Sequence, residues 1–434
     1  MSRIPEPPRG TRRLRMIGPG FLWMVSAAGS GELLFTPRMG ALYGYALLWA
    51  LIAAVCMKWF INREVGRWAV CTGRSIIDGF ASLPGPRNWA LWLILVPQLF
   101  VAVTAVAGLA GSAATALILV LPGDRRLWMI ASTLSASALV LWGRYRKVEL
   151  TATVLASALA IASIAAAIVV GPDVGALAGG LVPGIPPRVD YGEVLPWLGF
   201  MLSGAAGMMW YSYWINAKGY GAASRSIGDV ASLDDGERSR LRGWIRMMTL
   251  DCTVAVVGTL LVTLAFLILG VELLRPRGLV PGDDQMAATL GRLLGDVFGP
   301  AGYWLMIAGV FVGFWDTVLS DQDGHGRLFG NGLRQLSRRL SDRLSEAALK
   351  RVVVLVLVTA APIALYLAMG QPVGLLKIAG GIEAAHIPVL TALVLFLNRS
   401  RLPRDLAPSL PVVVLTAFSG LFFAIFAILY VSGL

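Results

Sequence analysis

The chain is a succession of apolar runs, each about as long as a helix that crosses a bilayer. A hydrocarbon core about 30 Å thick takes about 20 residues of α-helix. Runs of that kind fall at residues 17–43, 46–70, 89–121, 127–143, 149–170, 195–219, 247–270, 299–323, 351–369, 374–397 and 409–432. Inside lipid every backbone polar group must be paired within the protein, and a spanning strand is only about 10 residues long. Runs of this length therefore mean helices. The expectation is an all-α integral membrane protein with about eleven transmembrane helices in a single transmembrane domain, residues 1–434. Charged residues make up only 14% of the chain, against about 25% in soluble domains.

The net charge of +12 would suggest a nucleic-acid partner in a soluble protein. Here its distribution reports topology instead, because basic residues collect on the cytoplasmic side of a membrane protein. With the N-terminus inside, twenty-nine Lys and Arg fall on inner segments and seven outside, with Arg38 within a span. The expected arrangement is a multi-pass protein of the cell membrane with a cytoplasmic N-terminus and an outer C-terminus. Arg12, Arg13 and Arg15 ahead of an apolar run imitate a signal peptide, but the run continues into further spans rather than a secreted domain. Cys56, Cys71 and Cys252 have neither disulfide-framework nor zinc spacing. Residues 171–194, rich in Gly and Pro, form an outer loop. In residues 327–350, Leu333, Leu336, Leu340 and Leu344 face away from Arg334, Arg338, Arg339 and Arg343, which predicts a basic amphipathic helix on the inner leaflet.

Span 1 carries the most unusual chemistry. Gly29-Ser30-Gly31-Glu32 places two glycines and a carboxylate at membrane depth, with Arg38 beyond. Glycine lets the backbone leave helical geometry, and a broken helix inside a bilayer is tolerated only where its freed groups line a cavity or are buried in protein. Discontinuous helices of this kind build substrate and ion sites in secondary transporters. The plainer alternative is a packed kink, with Glu32 stabilising a helix N-terminus.

Span 6 echoes span 1. Ser26-Ala27-Ala28-Gly29 resembles Gly204-Ala205-Ala206-Gly207, each preceded by Gly-Phe (Gly20-Phe21, Gly199-Phe200) and followed by a basic residue and glycine. Spans 1 and 6 cross in opposite directions, as a five-plus-five inverted repeat requires. The expected repeats are 17–170 and 195–397, with 409–432 an extra helix. Residues 29–31 and 204–207 are expected to be unwound and to face each other near the midplane.

Gly18-Pro19-Gly20-Phe21-Leu22, Gly40-Ala41-Leu42-Tyr43-Gly44-Tyr45-Ala46-Leu47-Leu48-Trp49 and Thr72-Gly73-Arg74 resemble the first two helices of the Nramp divalent-metal transporters. The likeness continues in span 6, in Lys350-Arg351 and in Pro388. It implies the LeuT fold, alternating access, and import of metal ions that is often proton-coupled. Two departures stand out. Where the family has Asp-Pro-Gly-Asn, this chain has Gly29-Ser30-Gly31-Glu32, and where it has Met-Pro-His, this chain has Met208-Met209-Trp210. The metal-binding aspartate and the histidine are lost, which marks a divergent branch.

The candidate substrate-binding residues are Gly29, Glu32, Ala205, Met208, Trp210 and Tyr211, with Glu32 and Met208 the candidate metal ligands. A thioether favours transition metals over calcium or magnesium, although Met is also a common gap-filler. Trp210 and Tyr211 offer ring faces to a cation or an organic ligand, whereas Trp214 reads as part of an interfacial belt. Candidates for proton or ion coupling are Asp316, Glu383, His386 and Arg38. Glu383 and His386, three apart, share a helix face as a relay or as a structural polar pair. Asp251 is read as reaching the interface, Asp321, Asp323 and His325 as the cytoplasmic end of span 8, and Arg38 and Lys377 as partners for the intramembrane acids.

Neither a phosphate-binding loop nor a catalytic motif is evident, so the chain reads as neither a primary pump nor an enzyme. The expectation is a secondary transporter importing a transition-metal ion, in hydrated or chelated form if not bare, coupled to protons or another ion gradient. Weak binding of free manganese or iron(II) is expected, with tighter binding of a species that stacks on Trp210 or Tyr211. The alternatives are transport of an organic cation or other small organic solute, and a non-transporting receptor on the same fold. No resident cofactor is called for, the metal ion being substrate. The expected partners are membrane lipid and the substrate, without nucleic acid, with a monomer as the unit.

Overall fold

The protein is described by a computed structural model covering residues 4–143, 146–223, 225 and 230–432. A helix stands at each of the eleven apolar runs. Span 1 is Pro19–Ala27, Ala28–Phe35 and Thr36–Tyr43; span 2 is Leu48–Thr72, span 3 Trp89–Leu117, span 4 Arg125–Trp142 and span 5 Arg146–Val170. Span 6 is Tyr191–Phe200 and Ala205–Lys218, span 7 Asp235–Leu269 and span 8 Met286–Leu336. Span 9 runs through Glu346–Leu355, Val356–Ala360 and Ala361–Met369; spans 10 and 11 are Pro372–Arg401 and Leu410–Ser432.

Local chemistry sets the ends. The Asp124 side chain accepts from Leu127 N at the start of span 4, and Asp234 and Glu237 form a capping box at the start of span 7. Gly73, Gly143 and Gly370 close spans 2, 4 and 9 in the left-handed conformation.

Span 3 is the central post. Its buried face is built of small residues, among them Ala102, Ala105, Gly108 and Gly111, and spans 8 and 10 pack along it. Small residues let helices approach where lipid supplies no hydrophobic drive. Spans 6 and 10 come closest at Gly199, where an added Cβ would lie 2.3 Å from Gly380 O. Spans 5 and 11 present Ile161, Ile168, Phe418 and Leu421 outward, as lipid-facing surfaces do.

Two expectations are corrected. Span 8 does not end near residue 323 but continues as helix to Leu336, after an interruption at Gly299 (φ 66°, ψ −155°) just ahead of Pro300. The separate basic amphipathic helix over 327–350 is therefore absent. Its residues 327–336 are the last turns of span 8, with Leu333 and Leu336 packed on the core. Ser337 and Ser345 then act as N-caps for Arg338–Arg343 and Glu346–Leu355, cutting the stretch into separate helices.

Candidate functional site

The two interrupted helices meet near the middle of the bundle, but they are interrupted differently. Span 1 does not unwind at 29–31. Residues Ala28–Phe35 form a π-helical segment, which widens the helix while keeping it hydrogen-bonded. Gly31 is required there by contact, because a Cβ would lie 2.9 Å from Phe200 C, Phe200 O and Met201 N. Span 6 is fully interrupted, at Met201–Gly204 rather than at 204–207, whose last three residues already belong to the second half-helix. Leu202 (φ 51°) and Ser203 (φ 75°) are left-handed without being glycine, a conformation that costs of order 1–3 kcal/mol each.

That strain persists because three charged side chains take up the groups the break releases. Glu32 Oε1 accepts from Leu202 N at 2.8 Å. Glu383 accepts from Ala206 N at the start of the second half-helix, at 3.4 and 3.3 Å to its two oxygens. Lys58 Nζ donates to the carbonyls of Gly199, Met201 and Ser203 at 2.6, 2.6 and 2.7 Å. Glu383 Oε2 also accepts from Gln98 Nε2 (3.2 Å), which lies 3.1 Å from His386 Nδ1. His386 Nε2 is 3.1 Å from Leu93 O, a pure acceptor, so Nε2 carries the proton and Nδ1 accepts from the Gln98 amide. Glu383 and His386 thus share one chain of hydrogen bonds that ends on the break.

A small cavity of about 30 Å³ adjoins this chain; Val101, Ala105, Leu109 and Phe200 line part of it, and Ser203, Trp210, Asp321, His325 and Glu383 make it the more polar of two cavities at the break. It has room for one or two water-sized groups. Trp210 meets His325 edge-on, with ring centres 5.0 Å apart. His325 Nδ1 lies 3.0 Å from the Asp321 carbonyl oxygen and so carries the proton, which leaves Nε2 a buried lone pair without a partner. Asp321 and His325 therefore line the cavity, one turn apart within span 8, and are not the end of that helix. Their spacing with Thr317, which also lines the cavity, was the available signal.

A second cavity, about 240 Å³ and almost wholly apolar, lies between spans 1, 5, 7 and 8 against Phe21, Met24, Leu159 and Phe266. Its polar features are Ser157, whose hydroxyl donates to Thr153 O, Glu32, whose Oε2 is buried without a partner, and Thr259, whose hydroxyl is likewise unpartnered.

The candidate residues are thus divided. Trp210 and Glu383 line the polar cavity, while Glu32 lines the apolar one. Met208 and Ala205 are fully buried and line neither, and Gly29 packs on span 8, where a Cβ would lie 2.6 Å from Thr317 Oγ1. Asp316 is buried on span 8 outside both cavities. Tyr211 faces neither cavity: its hydroxyl donates to Asp251 Oδ2 at 2.9 Å and its ring packs on Trp23. Asp251 does not reach the interface either. It is buried and accepts from Gly18 N (2.9 Å) and Gly20 N (2.6 Å), holding the start of span 1.

Arg38 and Lys377 do not pair with these acids but share Glu193, at the start of span 6. Arg38 grips it with two bonds of 2.8 and 2.6 Å, and Lys377 donates to the same carboxylate. Among the described residues no group of three or more His, Cys, Asp or Glu is placed to hold a metal ion. A metal would therefore keep waters or take sulfur and backbone ligands.

A widened segment of span 1 packed on the break in span 6, with buried acids turned onto that break, is the architecture of the LeuT fold. More narrowly, the chain belongs to the Nramp family, whose model, natural resistance-associated macrophage protein-like, matches residues 20–432. It is thereby a transporter and not an enzyme. An uncharacterized protein of Pasteurella multocida is 26% identical over 354 residues, 76% of this chain and 73% of that one. The divalent metal cation transporter MntH of Deinococcus radiodurans is 27% identical over 181 residues, 41% of each. Among solved structures, a manganese transporter of Eremococcus coleocola superposes with TM-score 0.70 at 16% identity, covering 99% of this chain and 89% of that one. The inward-facing form of Mhp1 superposes with TM-score 0.56 at 14% identity, covering 99% and 92%.

Proposed function

We propose that this chain is a secondary active transporter carrying a divalent transition-metal ion past the interruption of span 6, driven by protons or another ion gradient. The observation behind the reading is the convergence of three buried carboxylates, Glu32, Glu383 and Asp321, on that interruption in a chain of this family. Curated relatives of the chain are divalent metal cation transporters. Carboxylate, imidazole and water are fitting partners for manganese and iron(II). The ion would pass the polar cavity keeping its water shell, with Asp321 and Glu383 attracting it through those waters rather than ligating it, because the aspartate and histidine of the family pattern are Gly29 and Trp210 here. Glu383, which lines the cavity and is held by the Gln98 amide, is the group that would take up and release a coupled proton. By the positive-inside bias, uptake runs toward the side bearing the N-terminus.

A second reading, an organic cation as cargo, is supported by one observation: the open oxygen of Glu32 faces an apolar cavity of about 240 Å³. A hydrocarbon body with one ammonium group would match it. Counterflow in proteoliposomes separates the two. The metal reading expects saturable uptake of manganese or iron(II), with chelates and small alkylamines neither transported nor competing. Amine counterflow without metal uptake would replace it with the second reading.

A further inference from the structure

Lys58 stands in an otherwise apolar stretch of span 2, and its side chain is completely buried. A lysine so placed would be costly without partners. It has three, one for each ammonium hydrogen, and all are main-chain carbonyls from one short piece of chain: Gly199, Met201 and Ser203. These are the carbonyls freed where the first half of span 6 stops, the end of a helix that carries partial negative charge. The ring of Phe423 on span 11 closes another side, its centre 5.5 Å from Nζ. Glu32 and Glu383 hold the N–H groups of the same break. Three carbonyl oxygens converging at 2.6–2.7 Å on one point, at the C-terminal end of a discontinuous half-helix, is the arrangement that elsewhere coordinates a co-transported monovalent cation.

We infer that Lys58 is a built-in occupant of a monovalent-cation cage formed by Gly199, Met201 and Ser203, so that the break in span 6 stays formed without any bound alkali ion. Two consequences follow. The intact protein has no requirement for sodium or potassium, and removal of the side chain leaves a cage that a small free cation fills. The first consequence, where it concerns uptake, rests on the transport reading; the cage does not.

The test uses purified full-length protein in detergent, at constant ionic strength, in sodium, potassium, ethylammonium or the bulkier choline as chloride. The wild-type unfolding midpoint is expected to be the same in all four. Lys58→Ala should unfold several degrees lower in choline and recover at least half of that loss in sodium, potassium or ethylammonium. Lys58→Met, which fills the stem but carries no charge, should be destabilised and recover in none. Recovery in both variants, or in neither, would overturn the inference, as would wild-type stabilisation by sodium or potassium over choline, which needs no variant to fold. In proteoliposomes, Lys58→Ala should lose uptake in choline and regain it in the cation that restores its midpoint. If the midpoints behave as expected while the wild type moves no substrate, the cage stands and the transport reading fails.

Discussion

Spans 1 and 6 occupy corresponding places in the two halves of the chain and carry similar small-residue stretches, yet they yield to different degrees. Span 1 has the glycines on either side of Ser30 and keeps its helix, widened to a π-helical segment. Span 6 has Met201-Leu202-Ser203 ahead of Gly204 and is broken outright, with two non-glycine residues left-handed. Backbone freedom therefore does not choose the site of a break. A break inside a membrane needs partners for the groups it releases, and span 6 has Lys58, Glu32 and Glu383 to provide them. In span 1, among the described residues, the corresponding bond is that of Thr36, whose hydroxyl donates to Gly31 O at 2.9 Å. Permission lies in the glycines; the decision lies in side chains on other helices.

The strongest way to break this comparison is to add a methyl group to each half. Gly31→Ala would press its Cβ on the backbone of Phe200 and Met201, whereas Gly204→Ala would meet the end of the Glu383 side chain. We expect Gly31→Ala to lose uptake altogether and about 1–3 kcal/mol of stability, as overpacking does, with Gly204→Ala milder on both counts. Equal thermal midpoints for the two variants would remove the asymmetry.

Next in size is Glu32→Gln. The amide oxygen can still accept from Leu202 N, so the variant should insert and fold, but with its charge gone uptake should fall at least about tenfold, the scale of one hydrogen bond to a charged group. Wild-type uptake by Glu32→Gln across a range of pH would remove Glu32 from the mechanism.

A smaller effect separates the residues after the break. Trp210 lines the polar cavity and Met208 does not, so calorimetry should find manganese binding changed by about tenfold, ~1.4 kcal/mol, in Trp210→Ala and nearly unchanged in Met208→Ala. The reverse pattern would return the thioether to the site.

The smallest is Ser203→Gly. It relieves a left-handed residue at the cost of unfolded-state freedom, and a gain of less than about 1 kcal/mol is expected, seen as a slightly higher thermal midpoint. A loss of several kcal/mol would mean that the Ser203 side chain, and not its backbone, holds the break.

The helices were legible in the sequence because hydropathy over 20 residues is a bulk property, and the likeness in residues 18–74 pointed to the family. The site was legible only in part. Glu32 and Glu383 stood out as acids in apolar runs. Lys58 did not, because a count of basic residues by side of the membrane absorbs it among the inner charges, although it lies buried within span 2. Asp321 and His325 read as a helix end because apolar character stops near residue 323, while the helix itself runs on to Leu336. Glu193 escaped notice as the partner of Arg38 and Lys377 because it lies just before the residue at which span 6 was taken to begin. In each case hydropathy locates the apolar part of a helix, and the charged residues that matter sit where that measure is blind.

The carboxylate of Asp251 ties more than its own neighbourhood. It takes the main-chain N–H of Gly18 and of Gly20 where span 1 begins, and the hydroxyl of Tyr211 from the second half of span 6. Swinging the start of span 1 from Gly18 onward away by itself would strip two donors from a buried carboxylate, and swinging the span 6 segment by itself would strip the third. The low-cost motion is the one in which both segments travel with span 7 as a single lever, its fulcrum at the widened part of span 1 and the break in span 6.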